Sequence, residues 1–149
     1  MKKCIFDNLE EWDKVIEILE GLKSKKQLDS HQKDLSRLLR YNDNWRLREA
    51  AIEASCQVKN PTSDLIDELL KIVTREDLYL DVRILATNAL DLLFTNASKI
   101  KKTEKNDIAQ VASQTLEHLT KLSVAPQPPI FQKALIVSHE RIKRSLEIS

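Results

Sequence analysis

Apolar residues recur three and four positions apart along this chain, the spacing that gathers them on one face of an α-helix. Leu9, Trp12, Ile16 and Leu19 predict a first helix over about residues 7–22, closed by Gly21 and the run Lys23-Ser24-Lys25-Lys26. Leu35, Leu38 and Leu39 predict a second over about 29–41. The turn Asn42-Asp43-Asn44 follows, and Asn44 suits the N-cap of the next helix. That third helix, about 45–58, carries Leu47, Ala51, Ala54, Ser55 and Val58 in register. Asn60-Pro61-Thr62-Ser63 breaks the pattern, with Pro61 suited to a first helical turn. Leu65, Ile66, Leu69, Leu70 and Val73 then mark a fourth helix, about 62–74.

The fifth helix, about 78–96, is apolar on two sides. Val82, Ala86, Ala89, Leu90 and Leu93 form one stripe, and Leu78, Leu85 and Leu92 form a second. Such a helix needs cover on both sides, which the interior of a stacked array supplies. A lysine-rich connection over 97–106 leads to a sixth helix, about 105–122, marked by Ile108, Val111, Ala112, Thr115, Leu116 and Leu119. Ala125-Pro126-Gln127-Pro128-Pro129 is a stiff linker, because proline fixes its backbone and removes a donor. The last helix, about 129–147, turns Phe131, Leu135, Ser138, Ile142 and Leu146 or Ser145 inward.

One glycine and four prolines in 149 residues leave little material for the tight turns of a sheet protein. The expected class is all-α, one domain over 1–149: an N-terminal helix at about 7–22, then helix pairs at about 28–60, 61–98 and 99–148. With 42% hydrophobic and 32% charged residues, the chain is neither disordered nor membranous in composition. No apolar run approaches the roughly 20 residues of a membrane span. Met1-Lys2-Lys3-Cys4-Ile5-Phe6-Asp7 reaches an acid too early for a secretory signal. Two cysteines, Cys4 and Cys56, are too few for a disulfide framework. The expected location is cytoplasmic, or nuclear in a eukaryote.

A net charge of +1 gives no overall field to drive the chain onto nucleic acid or an anionic membrane. The charge is nonetheless unevenly spread. Residues 61–98 hold 3 Lys/Arg against 7 Asp/Glu, a net −4, and residues 99–149 hold 9 against 5, a net +4. Opposed halves of this kind can steer a partner or a second copy of the chain, although exposed charges are ordinarily just solvated helix surface.

The third and fifth helices match at an offset of 35: Leu47 with Val82, Arg48 with Arg83, Ala51 with Ala86, Ala54 with Ala89 and Val58 with Leu93. A period of this length is the signature of a helical solenoid, and the alanines let neighbouring helices approach closely. The segments Asn44-Trp45-Arg46-Leu47-Arg48-Glu49-Ala50-Ala51 and Tyr79-Leu80-Asp81-Val82-Arg83-Ile84-Leu85-Ala86 resemble the second helix of HEAT and HEAT-like repeats. The resemblance covers about residues 35–94, and Gln132-Lys133 stands where the last helix would carry the motif. It implies a right-handed α-solenoid of antiparallel helix pairs, a HEAT/armadillo-like superhelix of about seven helices. It also implies a ladder of turn acids and arginines between repeats: Asp77, Arg83, Arg48 and Asp43 or Asn42.

Candidate chemistry is sparse. His139-Glu140 is similar to the His-Glu pairs of HEAT-type deoxyhypusine hydroxylases, but it stands alone, and His139 falls on an apolar stripe. Cys4 and Cys56 have no metal-ligand spacing, a single glycine excludes a phosphate loop, and no nucleophile motif is present. The sequence therefore predicts no enzyme, no catalytic residue, no cofactor and no metal. A nucleic-acid reading rests on Lys99, Lys101, Lys102, Lys105, Lys133, Arg141, Lys143 and Arg144. It is disfavoured, because Glu49, Glu53, Asp81 and Asp91 on the motif helices would repel phosphates.

The favoured expectation is a scaffold or adaptor that binds an extended peptide or helix of another protein. In HEAT arrays the second helices line the concave side. Their outward positions here are Arg46, Glu49, Glu53, Gln57, Asp81, Asn88, Asp91, Lys133, Glu140 and Arg144. Tyr41, Trp45 and Tyr79 fall at or near turns, and Trp45 sits beside Arg46 and Arg48, a grouping favoured at interfaces, although a tryptophan at such a turn more often staples it onto its neighbour. Alternatives are a nucleic-acid-binding HEAT-like protein and a HEAT-type metal-dependent enzyme. An array exposes apolar surface at any uncapped end. The first helix (Ile5, Phe6, Trp12, Val15, Ile16, Ile18, Leu19) and the last (Phe131, Ile136, Val137, Ile142) lead us to expect at least one end covered, by a partner or a second copy.

Overall fold

A computed structural model describes the backbone of residues 10–97 and 105–147, with side chains over 10–97 and 110–145. The start of the predicted first helix, Cys4, Ile5, Phe6, and Lys99, Lys101 and Lys102 lie outside the described residues. Seven α-helices occur among the described residues, with no strand: α1 (Trp12–Ser24), α2 (Gln32–Arg40), α3 (Trp45–Ser55), α4 (Ser63–Thr74), α5 (Leu80–Ala97), α6 (Lys105–Val124) and α7 (Pro129–Glu147).

The helix ends show how local chemistry sets the boundaries. Asn44 caps α3, its Oδ1 accepting from Arg46 N at 2.9 Å and Leu47 N at 3.4 Å. Thr62 caps α4, so Pro61 lies one residue before the cap rather than inside the first turn. Gly21 does not close α1. It lies within the helix, and the chain turns at Lys26, whose φ of 56° is left-handed. The second helix starts later than its apolar pattern suggests, after a 3-10 turn at Leu28–His31. The reason is a tie to the α3–α4 connection: Asp29 accepts from the amides of Lys59 and Asn60, and Gln32 bonds Asn60 O and Thr62 N. Likewise α3 stops at Ser55, and Asn96 of α5 donates to the carbonyls of Cys56 and Val58 beyond its end.

Helix contacts arrange the chain in two rows. In one row α2 touches α4 and α4 touches α6; in the other α1 touches α3, α3 touches α5 and α5 touches α7. The rows are joined by α2–α3, α4–α5 and α6–α7. A continuous apolar core runs between them from Val15 to Ile142, with Leu38, Ile52, Leu69, Leu90, Phe94 and Phe131 fully enclosed. Each such side chain contributes about 1.5–3 kcal/mol of transfer free energy. Ala51, Ala54, Ala86 and Ala89 are all buried, which allows the close approach of α3 and α5.

The second stripe of α5 behaves otherwise. Leu78 and Leu85 are only partly buried, and Leu92 is 44% exposed. Cover on both sides, expected from the sequence, is therefore incomplete. The neighbouring helices close one face of α5 and leave this stripe at the open surface. The ends show related exposure: Ile130, Ile136 and Val137 of α7 are exposed, and Ile16 and Ile18 of α1 are half-buried.

Candidate functional site

The α2–α3 and α4–α5 turns lie side by side and enclose a recess of about 330 Å³ lined by Asn42, Trp45, Arg48, Arg75, Asp77, Leu78, Tyr79 and Val82. The Asn44 cap starts α3 at Trp45, which leaves Trp45 at the rim, 58% exposed, with Tyr79 across it at 83%. Arg48 sits one turn further in and is only 6% exposed. Its Nη2 donates to Asn42 Oδ1 at 2.7 Å and Tyr41 O at 3.4 Å. Asn42 Oδ1 also accepts from Arg75 Nη1 at 3.0 Å, and Arg75 makes a two-point pair with Asp77 at 3.0 and 2.6 Å. Burial and the nearby Arg75 charge pull the Arg48 pKa down, partly offset by Asp77. The bond to Arg75 holds the Asp77 carboxyl below its ordinary range.

Of the two alternatives for the expected ladder, it is Asn42 that bonds Arg48, and it also bonds Arg75, while Asp77 pairs with Arg75. Asp43 is exposed and makes no ion pair among the described residues. Arg75 went unnoticed in the sequence because it lies outside the matching helices; its one signal is its place two residues before Asp77.

Arg83, the repeat partner of Arg48, is held differently. Its Nε donates to Val73 O at 2.9 Å, and its guanidinium carbon lies 4.4 Å from the Phe131 ring centroid. Burial lowers its pKa, against the raising effect of Glu76. Further along the same α5–α7 contact, Ser138 Oγ donates to Thr87 O, and Arg141 Nη1 lies 3.1 Å from Asp91 Oδ2. Asp91 is 2% exposed, so it is not among the outward residues. It lies in the α7 contact, where burial raises its pKa and the Arg141 bond opposes that rise.

The remaining predicted surface residues sit on the row of α3, α5 and α7. Arg46, Glu53, Gln57, Asp81, Asn88, Lys133, Glu140 and Arg144 are exposed, and Glu49 is half-buried. Arg46 lies between two indoles, 5.2 Å from the Trp12 centroid and 5.3 Å from that of Trp45. A shallow depression beside it is lined by Ile16, Trp45, Arg46, Glu49, Ala50 and Glu53. This surface carries acids on α3 and at the start of α5, bases on α7, and the Leu85–Leu92 stripe between them.

Other candidates have local partners. Thr120 Oγ1 meets His139 Nε2 at 3.1 Å, and His31 pairs with Asp34 at 3.4 Å. Cys56 is a free, half-buried thiol whose pKa is raised by burial and by Glu53. Of the basic residues behind the nucleic-acid alternative, Arg141 is engaged by Asp91, while Lys133, Lys143 and Arg144 are exposed on α7. No group of three or more His, Cys, Asp or Glu side chains with metal-site geometry occurs among the described residues. No helix among them is long and apolar enough to cross a membrane. Comparison with known proteins finds no matching family model, curated sequence or solved structure.

Proposed function

We propose that this chain is a non-catalytic, HEAT-like interaction module that binds a segment of another protein, an amphipathic helix or extended peptide, along the surface of α3, α5 and α7. The observation that carries this reading is the partly open second stripe of α5, with Leu92 44% exposed between an acidic and a basic flank. Apolar surface bordered by charge suits a partner that brings its own apolar residues and charges of opposite sign. The two rows of helices fit an α-solenoid, whose second helices would form the binding side. A cytoplasmic setting suits a thiol left free at Cys56.

The test is affinity capture from native extract at two salt concentrations with nuclease treatment, followed by titration of the captured protein. Changing Glu53 and Asn88 together to Ala should weaken binding by roughly 1–3 kcal/mol while leaving the helical melt intact. Capture that vanishes with nuclease would favour the nucleic-acid alternative, and unchanged binding by the double variant would remove this face as the site.

A further inference from the structure

Arg48 and Arg75 form an incomplete charge arrangement. Their two guanidiniums share one neutral oxygen, Asn42 Oδ1, and the carboxylate that joins them, Asp77, is taken up in two-point contact with Arg75. Arg48 has no carboxylate partner of its own among the described residues, although it is 6% exposed. Its Nε finds no hydrogen-bond acceptor among them. Most buried side-chain polar atoms find a hydrogen-bond partner, and an unmade bond to a charged group is costly. Two other buried polar atoms share this condition, Ser36 Oγ and Arg83 Nη2. Arg83, however, has the Phe131 ring against its guanidinium, whereas Arg48 is among the residues lining the recess, with its Nε enclosed behind the surface.

The recess offers more than charge. Trp45 and Tyr79 stand at its rim, exposed, with Leu78 and Val82 lining it below. Its volume of about 330 Å³ is at the lower end for ligand sites and fits a few side chains rather than a large cofactor. Trp, Tyr and Arg are the residue types that dominate binding energy at interfaces, and here all three meet around one opening.

We propose that this recess is a carboxylate-recognition pocket for an acidic residue of a bound protein segment, with Arg48 and Arg75 holding the carboxylate and Trp45 and Tyr79 covering the apolar residue beside it. The assignment rests on the reading of the chain as a protein-binding module and adds where, and through what chemistry, the partner is gripped. Arginine suits the task because its planar donors match a carboxylate at two points. Net charge decides the sign of the ligand: two guanidiniums against one carboxylate leave the recess positive.

The probe is the capped tripeptide N-acetyl-Leu-Glu-Leu-amide, with N-acetyl-Leu-Gln-Leu-amide as its neutral counterpart. Both are titrated into the isotope-labelled full chain, and the Trp45 indole and arginine Nε–H resonances are followed. The glutamate peptide should shift these signals, and the glutamine peptide should bind roughly tenfold more weakly. Arg75→Gln should reduce the glutamate peptide's affinity to that of the glutamine peptide; Arg75 is partly exposed, so an unchanged thermal melt shows that the fold persists. Tyr79→Ala should weaken both peptides alike. Equal binding of the two peptides, an absence of shifts at Trp45, or an Arg75→Gln variant that binds normally overturns the proposal. The captured protein separates this outcome from failure of the broader reading. If Glu53/Asn88→Ala weakens capture and Arg75→Gln does not, the pocket is wrong and the face stands. If neither variant matters, both are wrong.

Discussion

Helix α5 meets its row neighbours through two junctions built from the same repeat position, and they end differently. At the α3–α5 junction Arg48 is bonded to a neutral amide and a carbonyl, with one nitrogen left over. At the α5–α7 junction Arg83 also keeps one nitrogen, Nη2, without an acceptor among the described residues, but its Nε donates to Val73 O and the Phe131 ring lies against its guanidinium. The Ser138–Thr87 and Asp91–Arg141 contacts seal the rest of that junction. The same repeat position thus lies under an aromatic ring at one junction and beside a recess between two turns at the other. The exposed Trp45 and Tyr79 stand at the first junction.

The largest effect is expected from removing the ring that covers Arg83. Phe131→Ala deletes a fully buried ring and should cost about 3–5 kcal/mol of stability in chemical denaturation. A cost under about 1 kcal/mol would mean that α7 is not a sealed partner of α5. Next in size is the contrast between the arginines. Arg83→Met strands the Val73 carbonyl and should destabilise by about 1–3 kcal/mol. Arg48→Met leaves Asn42 Oδ1 bonded to Arg75 and strands only Tyr41 O, whose bond is long at 3.4 Å, so it should change stability by less than about 1 kcal/mol. Equal losses would contradict the division into closed and open junctions.

The smallest effect concerns pH. Burial raises the Asp91 pKa in the folded chain above its ordinary value, despite Arg141. The folded state therefore binds this proton more tightly than the unfolded state does. Stability from this group is present below the ordinary carboxylate range and is lost as pH rises through the folded pKa. Asp91→Asn should remove that part of the pH dependence, so its stability relative to the parent should improve between acid and neutral pH. A relative stability that falls over the same interval would show that the Arg141 pair outweighs burial.

Much of the fold was legible because helical periodicity, one glycine and the Asn44 cap all point the same way. The helix ends were less so. The late start of α2 depends on Asp29 and Gln32 reaching residues about thirty positions away, which no local pattern reveals. The candidate site was legible in part. Trp45, Tyr79 and the residues of α3 stood out, but Asp91 was placed outward by its helical angle alone, and only the packing of α7 shows it buried. Arg75 was missed because its role arises where two turns meet in space. The open stripe of α5 was visible as a pattern, while its incomplete cover depends on where α3 and α7 come to rest.

A protein segment bound along the α3–α5–α7 surface and in its turn-edge pocket would shield the side chains there from solvent. Hydroxyl-radical footprinting of the chain with and without the captured protein reads side-chain exposure directly at the residues concerned. Labelling of Trp45, Tyr79, Leu92 and Val137 should fall on binding, while Val124, exposed at the end of α6, keeps its labelling. Unchanged labelling at Trp45, Tyr79 and Leu92 in the bound chain would contradict binding at this surface.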